Sequence, residues 1–131
     1  DKTKFISYIV QEMIKNVPSI DLTLGEQKRN FIYIDDVVSA FLKIIDHVTQ
    51  LEKGFYEFQV CGKEEISIKN VVLMLQKIAN NTITQLNFGA LPYRENESMD
   101  AKCDITAITQ LGWVETYTLQ SGLQKTLETE Q

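Results

Sequence analysis

Histidine is almost absent from this sequence, His47 being the only one. That removes most imidazole-based metal constellations and weakens any Ser-His-Asp arrangement. The two cysteines, Cys61 and Cys103, stand far apart with no C-x-x-C spacing. No thiolate metal cluster is therefore expected, no metal at all; a reduced cytoplasmic setting is the simplest reading, and a disulfide between the two is the alternative that sequence leaves open. There is no G-x-x-x-x-G-K-[ST], no G-x-G-x-x-G and no G-x-S-x-G, so self-contained catalysis on the common phosphate, dinucleotide or acyl-transfer plans is not expected. The tyrosines at 8, 33, 56, 93 and 117 have no lysine four residues later. Apolar runs are far too short to cross a bilayer, and no signal-peptide pattern opens the chain.

Positive charge is also in deficit. Thirteen Lys and Arg against eighteen Asp and Glu leave a formal charge of −5, which argues against nucleic acid or an anionic membrane as partner. The rest is ordinary for a globular protein: 131 residues, 44% hydrophobic and 24% charged, enough for one domain with one core. The first residue is Asp1 and not Met, which suggests an excised piece of a longer chain.

Hydrophobic spacing lays out an α/β chain of helices and short strands without internal repeats or linkers. Apolar pairs at Phe5-Ile6, Ile9-Val10 and Met13-Ile14 predict a helix over 5–16. A strand is expected over 20–24, a polar turn over 26–30, and a strand or extended segment over 31–34. Asp35-Asp36 is placed to cap a helix running to about residue 50, with Val37, Val38, Phe41, Leu42, Ile45 and Val48 on one broad face. Alternation over 55–60 predicts a third strand. Ser67 caps a helix bearing Ile68, Val71, Val72, Leu75 and Ile78, and 82–88 reads as a fourth strand. Residues 89–99 form the one long irregular stretch, with a Pro, a Tyr and an Arg close together. Asp104 caps a short helix stopped by Gly112, Trp113 packs back on it, and Leu119, Leu123 and Leu127 mark a last helix.

Arginine is the sharpest compositional clue. Eleven of the thirteen basic residues are lysine, and the two exceptions, Arg29 and Arg94, both fall in turns or loops beside aromatic residues. A planar guanidinium offers paired donors that match phosphate or carboxylate, so two of them on an acidic chain suggest an anion site. Two structural ion pairs are the alternative. Asp35-Asp36 reads as a helix cap before an acid/base or metal pair, and Glu64-Glu65 as a solvated turn. Glu95 and Glu97 read as solvent-facing flanks of the loop, His47 as a late helix residue, and Cys61 as buried filler.

Five segments then carry a resemblance. RNFIYIDDVVSA at 29–40 is similar to the R-[DN]-F-[IV]-Y-[VI]-D-D-[VL] stretch of the nucleotide-sugar epimerase/dehydratase family, the extended short-chain dehydrogenases/reductases (SDRs). GFYEFQVCG at 54–62 resembles that family's G-x-x-Y-N-[IV]-G, with IKNVV at 68–72 matching the helix after it. LPYRENESM at 91–99 resembles its P-Y-R-x-x-E-x-M loop. DITAITQLGW at 104–113 resembles D-x-x-K-x-x-x-L-G-W, and LQSGLQKT at 119–126 follows in register. Gln59 stands where the family commonly has Asn, and Thr109 falls near its usual Lys or Leu.

The resemblance is to the C-terminal part of such enzymes, and it implies a small α/β substrate domain with short, mainly parallel strands and no Rossmann half. Its details lean toward the branch that builds deoxyhexoses on nucleoside diphosphates, as CDP-abequose and paratose synthases do. By this resemblance Arg29 contacts the diphosphate from the turn before the second strand and Arg94 clamps the nucleotide from the long loop. Leu22 and Thr23 match a strand whose backbone edge lies near the base. The implied partners are a nucleoside-diphosphate sugar and the chain's own N-terminal Rossmann domain. The implied cofactor is NAD or NADP in the full-length enzyme, with none bound to this part. The catalytic tyrosine and lysine lie upstream, so the chain is expected to be inactive alone. The helix before residue 50 and the segment 55–60 are expected to expose apolar surface, favouring a homodimer. A binding module that kept the fold without catalysis is the rival reading.

Overall fold

The computed structural model describes residues 4–131. Its principal layer is a pair of parallel strands, β1 (Ser19–Leu22) and β4 (Gln85–Phe88), with Ile20 opposite Leu86 and Leu22 opposite Phe88. Ile20 and Leu22 point inward while Ser19 and Asp21 face solvent, the two-residue period of a strand covered on one side. Three helices build the core with them: α1 (Phe5–Ile14), α3 (Ile68–Ile78) and α5 (Leu119–Glu130). Ile9, Val10 and Met13 of α1, Val71, Val72 and Leu75 of α3, and Leu119, Leu123 and Leu127 of α5 form one buried cluster with β1. These are the positions their helical spacing predicted.

Local chemistry fixes the ends. The Ser67 hydroxyl accepts from the Asn70 amide at 3.1 Å, and the Thr118 hydroxyl does the same for Ser121 at 3.0 Å, two side-chain N-caps. Two further amides of the first turn of α3 donate to backbone carbonyls, Ile68 to Gln27 and Lys69 to Gly25, both at 2.9 Å. Gly25 has φ +71°, and a Cβ there would sit 2.7 Å from the Lys69 nitrogen. Only glycine lets the chain leave β1 so close to that helix. Asn81 ties the end of α3 to α1 and β4. Its amide donates to the Met13 carbonyl and the Thr84 hydroxyl, and its carbonyl accepts from Ile83 and Thr84.

Buried residues form two clusters and not the single core expected from length. The second is small: Ala40, Ile108 and Trp113, with Ile32, Ile44, Phe58, Val60, Ile105 and Leu111 packed around them. It lies where α2 (Ile34–His47) meets α4 (Thr106–Gln110). The Trp113 indole N–H reaches the Asp36 carbonyl at 3.2 Å and the Ser39 hydroxyl at 2.9 Å.

Four expectations change. Residues 31–33 form no strand and Ile34 opens α2, while the second strand is β2 (Lys28–Arg29), antiparallel to β3 (Ile66–Ser67). Arg29 thus sits in a strand and not in a turn. Residues 55–60 are neither helix nor strand; their alternation is real, but no described strand lies beside them to complete a ladder. Asp35 and Asp36 do not cap α2. Its N-cap is Tyr33, and both carboxylates lie in the first turn, where they face the positive end of the helix dipole. Asp104 stands one residue before the N-cap of α4, which is Ile105, and accepts from the Thr106 hydroxyl and amide.

Cys61 and Cys103 form a disulfide, with their Cα atoms 6.6 Å apart. The open alternative thus holds in place of the simpler reading of two reduced thiols: distant in sequence, the cysteines meet because the turn after residue 60 lies against the stretch before α4. No described helix is long and apolar enough to cross a membrane.

Candidate functional site: a strand arginine against an arginine loop

The long irregular stretch is a structured loop. At its root the amides of Gly89 and Leu91 both donate to the Leu22 carbonyl at 3.0 Å, so the backbone edge of Leu22 is occupied by the loop itself. Thr23, next to it, accepts from the Gly25 amide through its hydroxyl at 3.2 Å. At the crown, the Tyr93 hydroxyl accepts from the Glu26 amide at 2.9 Å and faces the Glu26 carboxylate at 3.3 Å. Asn96, at φ +63°, makes the tight turn in which the Glu97 amide donates to the Arg94 carbonyl at 3.1 Å. The return limb is fastened by the Lys28 amide, which donates to the Met99 carbonyl at 2.8 Å.

Arg29 grips the same limb. One guanidinium nitrogen donates to the Lys28 and Ser98 carbonyls at 2.7 and 2.9 Å, and the other meets the Glu97 carboxylate at 3.2 Å. The Gln27 side-chain amide donates to the same carboxylate oxygen at 3.2 Å, leaving the buried side-chain carbonyl of Gln27 with no partner among the described residues. Arg94 is exposed and makes no side-chain hydrogen bond or ion pair among the described residues. The structure therefore brings Arg29 and the loop carrying Arg94 together, with Arg29 engaged internally and Arg94 open to solvent. Leu22 and Thr23 stand at the loop root. Glu97 is not a solvent-facing flank; it is the partly buried partner of Arg29. Its spacing, three residues beyond Arg94 in the same loop, was the available signal. Gln27 carried none.

The other candidates resolve structurally. Asp36, 2% exposed, accepts from the amides of Thr116 and Tyr117 at 3.0 and 2.9 Å and pins the approach to α5 onto α2. His47 bonds through its ring to the Lys43 carbonyl one turn earlier at 2.8 Å. A cavity of about 250 Å³ between 31–34 and α5 is almost wholly apolar, and neither arginine lines it. Among the described residues no group of three His, Cys, Asp or Glu could hold a metal. Neither parallel strand runs through a glycine-rich turn into a helix: β1 leads to β2 and β4 into the loop. The described residues thus do not fit a dinucleotide cradle, which needs that strand-turn-helix junction.

The same arrangement of helices and short strands recurs in solved structures of longer proteins. RMD of Pseudomonas aeruginosa in complex with NADPH matches with a TM-score of 0.81 at 19% identity, over 99% of this chain and 42% of that one. UDP-glucuronic acid 4-epimerase of Bacillus cereus, in complex with UDP-glucuronic acid and NAD, matches with a TM-score of 0.74 at 25% identity, over 93% and 38%. In sequence, CDP-abequose synthase of Salmonella muenchen is 36% identical over 124 residues, 95% of this chain and 41% of that protein. The model of the NAD dependent epimerase/dehydratase family matches residues 1–60. The chain is similar to that family, and it spans about two fifths of the length of the Salmonella relative.

Proposed function

We propose that this chain is the nucleoside-diphosphate-sugar-binding portion of an NAD(P)-dependent nucleotide-sugar epimerase, dehydratase or reductase. The observation that carries this reading is that Arg29, through Ser98 and Glu97, is held against the loop that bears the exposed Arg94, in a chain of net negative charge. A diphosphate needs forked donors held at a fixed separation, and it gains most from them where the surrounding field is unfavourable. Arg94 offers an open guanidinium. Arg29 would turn part of its fork from Glu97 to a phosphate oxygen, and Leu22 and Thr23 would flank the base. The likeness to a CDP-abequose synthase favours a cytidine nucleotide and a deoxyhexose.

NAD or NADP, when bound by the rest of the longer enzyme, supplies the hydride chemistry. The share of this chain is to hold and orient the nucleotide, so it is inactive by itself. The exposed apolar face of α2 is where the Rossmann part would pack, and where two copies would pair as a homodimer without it. The cytoplasm, where such biosynthetic enzymes work, is the proposed compartment.

Titration of CDP into the chain by calorimetry tests the reading. Binding is expected, with Arg94→Ala weakening it about tenfold, the loss of one charge-assisted contact worth about 1.5 kcal/mol. Arg29→Lys should weaken it as well, because an ammonium cannot reproduce the fork. Unchanged affinity in both variants sinks the clamp.

A further inference from the structure

The disulfide lies at the far end of the loop that carries Arg94. Beyond Met99, residues 100–104 contain no helix or strand. Among the described residues, two links hold the end of this stretch to the body: the Asp104 amide, which donates to the Gln59 side chain at 3.0 Å, and the Cys61–Cys103 bridge. The other end of the bridge is firmly seated. Gly62 packs so closely under the Phe31 carbonyl that a Cβ would overlap it. Its carbonyl accepts from the Asn30 side chain at 3.0 Å, and the next amide, Lys63, donates to Glu115 at 2.9 Å. Asn30 adjoins Arg29. The bridge therefore joins the loose end of the arginine loop to the rigid neighbour of the other arginine.

Cys103 is exposed and Cys61 half-buried, so an external thiol can reach the bridge at Cys103. Disulfides of proteins in reducing compartments tend to be switches and not staples. We infer that Cys61 and Cys103 form a redox-sensitive tether that holds the arginine loop against β2 when closed and loosens it when open. Closure by thiol–disulfide exchange is balanced with a small-molecule disulfide such as oxidised glutathione. The Cys103 thiolate attacks it, forming a mixed disulfide and releasing one thiol. The Cys61 thiolate then displaces the second. One S–S bond forms and one breaks, two electrons pass to the external disulfide, and the two protons go to the released thiols. A dithiol reductant reverses both steps. A tethered loop is pre-organised, so less ordering is required when a ligand binds.

Lys102, exposed and adjacent to Cys103, gives a readout that needs no ligand. The chain is equilibrated with oxidised glutathione or with dithiothreitol, and trypsin cleavage after Lys102 is timed by mass spectrometry. An intramolecular bridge should form under oxidation and slow that cleavage several-fold. Cys103→Ser, an exposed substitution with little risk to folding, should cleave at the fast rate in both buffers. Failure of the bridge to form, or equal cleavage rates in both states, overturns the tether. The consequence for ligand rests on the proposed nucleotide site and is read separately: CDP should bind several-fold more tightly to the oxidised chain, and equal affinity overturns the coupling. CDP binding to neither state would count against the nucleotide site alone, because the cleavage rates report the tether without it.

Discussion

Helices α3 and α2 carry similar apolar stripes and meet opposite fates. Val71, Val72 and Leu75 of α3 have no exposed surface, whereas Phe41 and Ile45 of α2 are each 62% exposed and Val38 and Leu42 about half. The difference is not in the stripe. Helix α3 lies among α1, α5 and the parallel strands, so its apolar side meets other apolar sides. Helix α2 has a second, smaller inward side, where Ala40 and Ser39 lie against Trp113. A helix with apolar residues on two sides is built to lie between two layers, and the described residues supply one of them. Phe55, 89% exposed in the segment after α2, extends the bare surface. Patches of this kind mark a site of association.

The largest effect that separates the two regions should come from the closed core. Leu75→Ala removes a fully buried side chain amid tight neighbours and should cost about 2–5 kcal/mol in chemical denaturation. A cost near zero would mean that the α1–α3–α5 cluster is not the stabilising core. Next in size is the junction between the regions. Asp36→Ala strips two backbone amides, Thr116 and Tyr117, of their acceptor, and should cost about 1.5–3 kcal/mol, the range for hydrogen bonds to a charged group. Asp36→Asn, which keeps one acceptor oxygen, should recover part of it.

The bare face should behave in the opposite manner. Phe41→Ser with Ile45→Ser changes the fold's stability by no more than about 0.5 kcal/mol per site, as for exposed positions generally. The parent chain should self-associate in light scattering, and the same pair should abolish that association. A monomeric parent at high concentration, or a large loss of stability in the variant, would show that the face is covered after all.

The same contrast explains what could be read from sequence. The spacing of Ile9, Met13, Leu75, Leu119 and Leu123 gave both helix and buried face, because local period and tertiary cover agree there. In α2 the period identified the face, but whether anything covers it depends on residues outside the helix. Alternation over 55–60 was legible and its pairing was not, since a ladder needs a neighbour. The two-residue strand β2 is too short to leave a pattern. Arg29 and Arg94 stood out by composition, yet the engagement of Arg29 by Glu97 depends on a loop folding back across 68 residues. The Cys61–Cys103 pairing is likewise a product of tertiary approach.

Acid should reveal the smallest difference between the regions. The Asp104 carboxylate accepts from the Thr106 hydroxyl and then from the Thr106 amide, and these bonds hold its pKa below the usual aspartate value. The folded chain thus binds that proton less readily than the unfolded chain does. The stabilisation is complete above the unfolded value, about 3.9, and fades as pH falls through the lower folded value. Because Asp104 is exposed, the effect is confined to the start of α4 beside the small cluster. The buried cluster around α3 contains no carboxylate to match it. Carboxyl-detected NMR should place the Asp104 titration below that of a free aspartate, and Asp104→Asn should lower the thermal midpoint slightly at neutral pH and not at all once the wild-type carboxyl is protonated. An Asp104 midpoint at or above the ordinary range would break the link between that turn and the stability of α4.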